Sequence, residues 1–172
     1  MSSSAGGSTP LQVGATITSR GRTITESDLV SFAALTGDWH PQHSDAEFAA
    51  ASRFGERIAH GMLVVSYSIG LIDFDPTRVV ALRGLDGVTF KRPVAVGDTI
   101  HVEAEVAEAK PLDDEHELLS LRWRVLAGEK LAVRARVQLV HRAAAGAPAE
   151  RTSSDPVFAV PEVPLYGDQV LL

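Results

Sequence analysis

Cysteine is absent from this sequence of 172 residues. That absence excludes disulfide bonds, zinc–thiolate sites, iron–sulfur clusters and thiol nucleophiles, and it makes a reducing cytoplasm the expected compartment. An excess of positive charge is also missing, because 16 lysines and arginines face 22 aspartates and glutamates, for a formal net charge of -6. Without a basic surface to meet a phosphate backbone, nucleic acid is not an expected partner.

Long hydrophobic runs are missing as well. No stretch reaches the roughly 18 apolar residues that a membrane-spanning helix requires, so no membrane partner is expected. The segment MSSSAGGSTP at the start lacks both the positive residues and the apolar core of a signal peptide. We therefore expect no cleaved leader.

The length fits one domain of about 150 residues, and a hydrophobic content of 45% can supply its core. Serine and glycine dominate residues 1–10, which are expected to form a flexible leader. Small residues, glycine and proline from Ala143 to Pro156 predict a linker, and the prolines beyond it exclude a regular helix. The predicted layout is a compact domain over 11–142, then a linker and extended tail over 143–172.

Two capping boxes predict short helices in the first third of the chain. Thr25 to Asp28 fits the first box, and apolar residues at helical spacing then predict a helix over 26–36 that Gly37 ends. Ser44 to Glu47 fits the second box and predicts another helix that continues to about Ser52.

The segment from Leu63 to Ile72 is apolar on nearly every side, which predicts a buried core helix of about 12 residues. An early strand is expected from about Leu11 to Thr18. Beyond Arg78 the hydrophobic period changes to two and predicts four successive strands, around 79–90, 100–106, 119–125 and 131–139. The predicted fold is α+β, an antiparallel meander wrapped around a central apolar helix.

The strongest chemical signal is the segment Gly37-Asp38-Trp39-His40-Pro41-Gln42-His43. It places a carboxylate and two imidazoles on a short loop, where a base and an acid can share one water molecule. A second signal is His60-Gly61-Met62, because free amides at a helix start beside a glycine can hold a developing oxyanion.

From Phe32 to Ala49 the sequence resembles the hydratase motif of MaoC-like R-specific enoyl-CoA hydratases, whose core is G-D-x-N-P-x-H. The resemblance continues through Phe54 to Met62, Val88 to Val94 and Gly97 to Thr99, so it covers most of the predicted domain. It implies a hot-dog fold, usually a homodimer, and an enzyme of fatty acid metabolism that needs neither a metal nor another cofactor. The reaction implied is addition of water to a trans-2-enoyl thioester, or its removal from an R-3-hydroxyacyl thioester.

The resemblance also assigns roles to individual residues. His43 is the expected base for the catalytic water, and Asp38 orients that water and passes a proton to the α carbon. The Gly61 amide is expected to hold the thioester carbonyl. Ser66 matches a helix serine that supports the carboxylate and the water, although a helical serine more often bonds to its own backbone.

Substrate-binding residues are expected on either side of Gly61 and after the first long strand. His60 and Met62 flank the glycine, while Lys91 and Arg92 are candidate cations for the phosphates of CoA. The sequence does not decide between CoA and an acyl carrier protein, and it does not indicate the length or branching of the acyl chain.

Two residues depart from the family pattern, since His40 replaces the asparagine and Gln42 replaces an aliphatic residue. His40 either tunes the electrostatics of His43 or is an exposed variant.

A metal site formed by Asp38, His40 and His43 is a further alternative, which Pro41 and the lack of an evident fourth ligand disfavour. A hot-dog thioesterase and a non-catalytic acyl-thioester binding subunit are the competing functions.

Overall fold

The computed structural model describes residues 11–143. Within them lie the helices α1 Glu26–Thr36, α2 Pro41–Ser44, α3 Ala46–Ala51 and α4 Gly61–Gly70. The strands are β1 Thr16–Thr18, β2 Arg22–Thr23, β3 Val79–Phe90, β4 Thr99–Pro111, β5 His116–Ala127 and β6 Lys130–Arg142. The predicted leader and, apart from Ala143, the predicted linker and tail lie outside the described residues.

The strands form one antiparallel sheet in the order β1-β4-β5-β6-β3, and β2 also pairs with β4. The predicted meander is correct for β4, β5 and β6 but wrong for β3, which pairs with β6 instead of β4. A two-residue turn at Gly128 and Glu129 keeps β5 and β6 adjacent. The longer connection over 91–98 does not force β3 and β4 to be neighbours, and it carries the chain from β3 at one edge of the sheet to β4 near the other edge.

One face of the sheet packs against α4. Leu63, Val64 and Val65 of the helix are buried in the same apolar cluster as the inward residues of the central strands, which include Val102, Val106, Leu119, Leu121 and Val125. A buried polar pair fixes the helix on the sheet, because Trp123 Nε1 donates to Ser68 Oγ over 3.0 Å. The α+β arrangement of a sheet around an apolar helix is thus confirmed.

Helix α1 begins and ends where the sequence predicts. The Thr25 side chain accepts from the Asp28 amide, and the Asp28 carboxylate accepts from the Thr25 amide, so both halves of the capping box are formed. Gly37 has a φ of 76°, and its amide donates to the Ala33 carbonyl. This left-handed end directs the chain away from α1 into the candidate loop.

Several predicted bounds need correction. The second N-cap is Asp45 instead of Ser44, because Asp45 Oδ1 accepts from two amides of α3. Ser44 is instead the last residue of α2, a one-turn helix that was not predicted. The early strand is confined to Thr16–Thr18, and the short β2 was not foreseen. Helix α4 stops at Gly70, a residue with low helix propensity.

Helix α4 is also less enclosed than its composition suggests. Its inward face is buried, but Met62 is 51% exposed and Ser66 lies on the solvent side of this single chain. The prediction of burial on most sides is therefore wrong for these residues, since the sheet covers one face of the helix. No helix within residues 11–143 combines the length and the apolar character needed to cross a membrane.

Candidate active site

The loop after α1 owes its shape to local capping interactions. His40 is the N-cap of α2, and its Nδ1 accepts from the Gln42 amide over 3.1 Å, with Pro41 at the first helical position. Asp38 Oδ1 accepts from the His40 amide over 3.2 Å. The single turn of α2 then presents His43 on the side of the loop that holds Asp38.

The His43 ring is held by a backbone carbonyl. Its Nδ1 lies 2.7 Å from the Ile58 oxygen, and because a carbonyl only accepts, Nδ1 carries the proton and Nε2 keeps a free lone pair. Burial lowers the pKa of His43, the bond to Ile58 opposes this, and neighbouring His60 and His40 add to the lowering while Asp38 opposes it. His43 is therefore suited to accept a proton from water near neutral pH.

His60 connects the loop to the start of α4. Its ring is 3% exposed, and its Nε2 donates to the Asp38 main-chain oxygen over 2.9 Å. The ring stacks on that of His43 with centroids 3.9 Å apart, and Phe32 packs against it at 5.1 Å. The structure thus brings together Asp38, His43 and His60, which were predicted from two separate segments.

The Asp38 carboxylate borders this cluster and remains open to solvent. Its Oδ2 lies 3.9 Å from His60 Nε2, and the side chain is 52% exposed. One polar atom from each of Asp38, His43 and His60 lies within 4.8 Å of the others. Acid and base groups this close together can act on one water molecule.

Asp38, His43 and His60 are residue types that can also bind a metal ion, and one polar atom of each lies within 4.8 Å of the others, but a nitrogen of each histidine ring is already bonded to the protein. The rings of His43 and His60 are stacked at an interplanar angle of 28°, and His43 Nδ1 is already bonded to the Ile58 carbonyl. His60 Nε2 is already a donor to Asp38, and His40 Nδ1 accepts from the helix α2 amide. The arrangement favours acid–base chemistry.

The start of α4 carries free amides. His60 is its N-cap but makes no side-chain capping bond, and the Gly61 amide has no hydrogen bond within residues 11–143. A Cβ on Gly61 would lie 2.6 Å from the Phe90 ring, so any side chain there would force that ring to shift, and it would also narrow the predicted approach of a carbonyl. The amide end of the helix can therefore act as an oxyanion site.

Phe90 was not predicted as a site residue, although it ends β3 beside the α4 start and is 51% exposed. An exposed phenylalanine just before two cations is the signal that could have indicated it. Lys91 and Arg92 follow directly, and their amides donate to the Ala132 carbonyl. The structure thus places these predicted phosphate-binding residues close to Gly61 in the fold.

Ser66 is not joined to the cluster by any hydrogen bond in the described part of the chain. Its hydroxyl donates to the Met62 carbonyl over 2.8 Å, which is the usual bond of a helical serine. It lines a separate open cleft of about 240 Å³ together with Arg20, Arg22 and Tyr67. Its predicted role in the water network stays a prediction.

Gln42 has a structural use that explains its polarity. Its side chain is buried, and its Nε2 donates to the Glu56 carbonyl over 3.0 Å. The bond ties α2 to the segment that supplies the Ile58 carbonyl. The supporting roles of Gln42 and Ile58 were not predicted, and a main-chain oxygen leaves no signal in the sequence.

The comparisons with known proteins agree with this arrangement. Residues 10–120 match the family model of the MaoC like domain. The chain is 42% identical over 93 residues to Protein MaoC of Klebsiella aerogenes, covering 54% of this chain and 28% of that protein. It is 41% identical over 95 residues to the 3-hydroxybutyryl-CoA dehydratase of Methylorubrum extorquens, covering 51% of this chain and 56% of that protein.

The chain therefore spans between about a quarter and about half of the length of these two relatives. Among solved structures, the (R)-hydratase from A. caviae involved in PHA biosynthesis superimposes with a TM-score of 0.61 at 31% identity, covering 75% of this chain and 96% of that one. The sheet order, the central helix and the family match lead to one conclusion: the chain belongs to the MaoC-like domain family and has the hot-dog fold.

Proposed function

We propose that this protein is a hydro-lyase that adds water to a trans-2-enoyl thioester or removes it from an R-3-hydroxyacyl thioester. The observation that carries the proposal is the orientation of His43, whose proton on Nδ1 is bonded to the Ile58 carbonyl, which leaves the Nε2 lone pair available, while the Asp38 carboxylate lies in the same cluster. The names of the relatives, a 3-hydroxybutyryl-CoA dehydratase and an (R)-hydratase, support the same reaction class.

In the hydration direction, His43 Nε2 takes one proton from a water molecule that the Asp38 carboxylate orients. The water oxygen bonds to the β carbon, and the electron pair of the double bond moves toward the thioester oxygen. The Gly61 amide stabilises the resulting enolate at the positive end of α4. The proton taken up by His43 is then passed through Asp38 to the α carbon, so the addition is complete and both groups return to their starting protonation states.

The carrier of the acyl group is proposed to be CoA or an acyl carrier protein. Lys91 and Arg92 have exposed side chains next to Phe90, where they can meet phosphates common to both carriers. A reducing compartment, the cytoplasm, is proposed from the lack of cysteine.

A homodimer is proposed because β3 is a free edge of the sheet within residues 11–143. Val80 and Leu82 on this strand are 45% and 47% exposed, and an unpaired apolar edge favours pairing with a second copy. Light scattering at several dilutions tests this, and a fully active monomer of 18.3 kDa would contradict it.

The reaction itself is tested with crotonyl-CoA in heavy-oxygen water. We expect loss of the enoyl absorbance, no free thiol, and label on the 3-hydroxyl of an R product. A thioesterase would instead release stoichiometric CoA and place the label in a free carboxylate. A binding subunit would retain the ligand without turnover, so the three functions give different results.

A further inference from the structure

His60 is the most enclosed polar residue of the site, and it touches both candidate catalytic residues without facing solvent. Its Nε2 donates to the main-chain oxygen of Asp38, and its ring lies 3.9 Å from that of His43. The side chain is 3% exposed. A residue this enclosed has no room to bind substrate directly, which argues against the predicted substrate contact.

The other ring nitrogen gives the second observation. His60 Nδ1 is buried and has no hydrogen-bond partner within residues 11–143. Leaving a buried polar atom unpaired is unfavourable, and the backbone of His60 has the N-cap geometry from which Nδ1 could cap α4. The ring instead turns its Nε2 to Asp38, and the α4 amides remain free.

We propose that His60 is a positioning residue that holds the His43 ring and the Asp38 backbone in one geometry while leaving the start of α4 open to substrate. This inference rests on the proposed hydro-lyase function, because it assigns a role within the same site. Phe32 of α1 packs against His60 at 5.1 Å and keeps the imidazole in the stack.

The charged and titratable groups facing His43 are Asp38 on the loop, His40 at the start of α2, and His60 before α4. After burial, His60 is among the neighbours that lower the pKa of His43. Removing the imidazole of His60 should therefore raise the pKa of His43, whereas a change in general stability alone would leave it in place.

Two substitutions separate the two contacts. His60→Gln keeps a donor near the position of Nε2 but lacks the ring, and His60→Phe keeps a ring but lacks the donor. His141→Gln is the matched control, because His141 of β6 is also 3% exposed and its Nδ1 pairs with Glu117 of β5, outside the candidate site. Circular dichroism and thermal unfolding identify any variant that does not fold.

Nitrogen-15 NMR of the histidine rings is the decisive measurement, since it does not depend on turnover. In the unsubstituted protein we expect His43 to carry its proton on Nδ1. In both His60 variants its titration midpoint should rise, and in His141→Gln it should not. With crotonyl-CoA, kcat should fall about 100-fold in His60→Phe, as expected for a misplaced base, and less in His60→Gln, with KM nearly unchanged.

An unchanged His43 midpoint in both His60 variants would overturn the proposal, as would a loss confined to KM. A parent protein that does not hydrate crotonyl-CoA would refute the proposed function instead. The NMR result would still decide whether His60 positions His43.

Discussion

Two histidines occupy equivalent positions at two helix starts and are used in opposite ways. His40 precedes α2 with φ -54° and ψ 135°, and His60 precedes α4 with φ -56° and ψ 135°. His40 caps its helix through Nδ1, while His60 leaves its helix uncapped. The first helix start is capped and holds His43, the proposed base, in place, and the second is uncapped and available for the substrate oxygen that the proposed reaction requires.

The cap made by His40 explains how the loop accommodates a histidine where the family motif has an asparagine. An asparagine oxygen caps a helix in the way that His40 Nδ1 does here, so the replacement preserves the function of the position. The backbone geometry at a helix start therefore indicates less about function than the hydrogen bond that the N-cap side chain makes.

The largest expected effect comes from removing the two proposed acid–base groups. His43→Ala and Asp38→Asn should each lower the rate of hydration by about a hundredfold to ten-thousandfold, the usual contribution of a general acid or base. Steady-state turnover of crotonyl-CoA measures this, with circular dichroism to show that the fold is kept. Near-native turnover in either variant would exclude that residue from the proposed roles.

The next effect comes from closing the open start of α4. Gly61→Ala adds a Cβ that would lie 2.6 Å from Phe90, and it also narrows the approach to the free amides. We expect a loss of about a hundredfold in kcat, the size seen when one oxyanion donor is lost. Gly70→Ala is the matched control on the same helix, because its Cβ meets nothing within 4 Å.

The double variant Gly61→Ala with Phe90→Leu separates the two causes of that loss. If the clash with Phe90 alone were responsible, the smaller side chain would restore turnover. Continued loss in a folded double variant would show that the amide itself must be accessible. Full activity of Gly61→Ala alone would contradict both explanations.

Acid pH should lower the activity by protonating His43, the proposed base. Because burial lowers its pKa, the neutral base persists below the ordinary histidine value, and the midpoint of the acid limb of kcat/KM should lie below about pH 6.5. The decline should then approach about tenfold per pH unit as the base is protonated. A pH profile whose acid limb is centred above this value would show that another group controls the reaction.

The features of the fold and the site that could be predicted from the sequence are those determined by residues close together in the chain. Helix α1 has its predicted bounds because its cap, apolar spacing and terminal glycine all lie within a short segment. The order of β3 and β6 was not predictable, because their pairing depends on a distant contact. For the same reason the sequence indicated His43 and His60 separately but not their stacking.

The smallest expected effect concerns the capped helix start. His40→Ala removes the acceptor for the Gln42 amide and should lower the free energy of unfolding by about 0.5 to 2 kcal/mol, as for other N-cap losses. His40→Asn restores an oxygen acceptor and should recover most of that stability and the turnover, because α2 again holds His43. Denaturant unfolding and turnover measured on both variants test this pair. If His40→Asn is as slow as His40→Ala but fully stable, the imidazole of His40 acts on the site itself and the two helix starts are less different than their hydrogen bonds indicate.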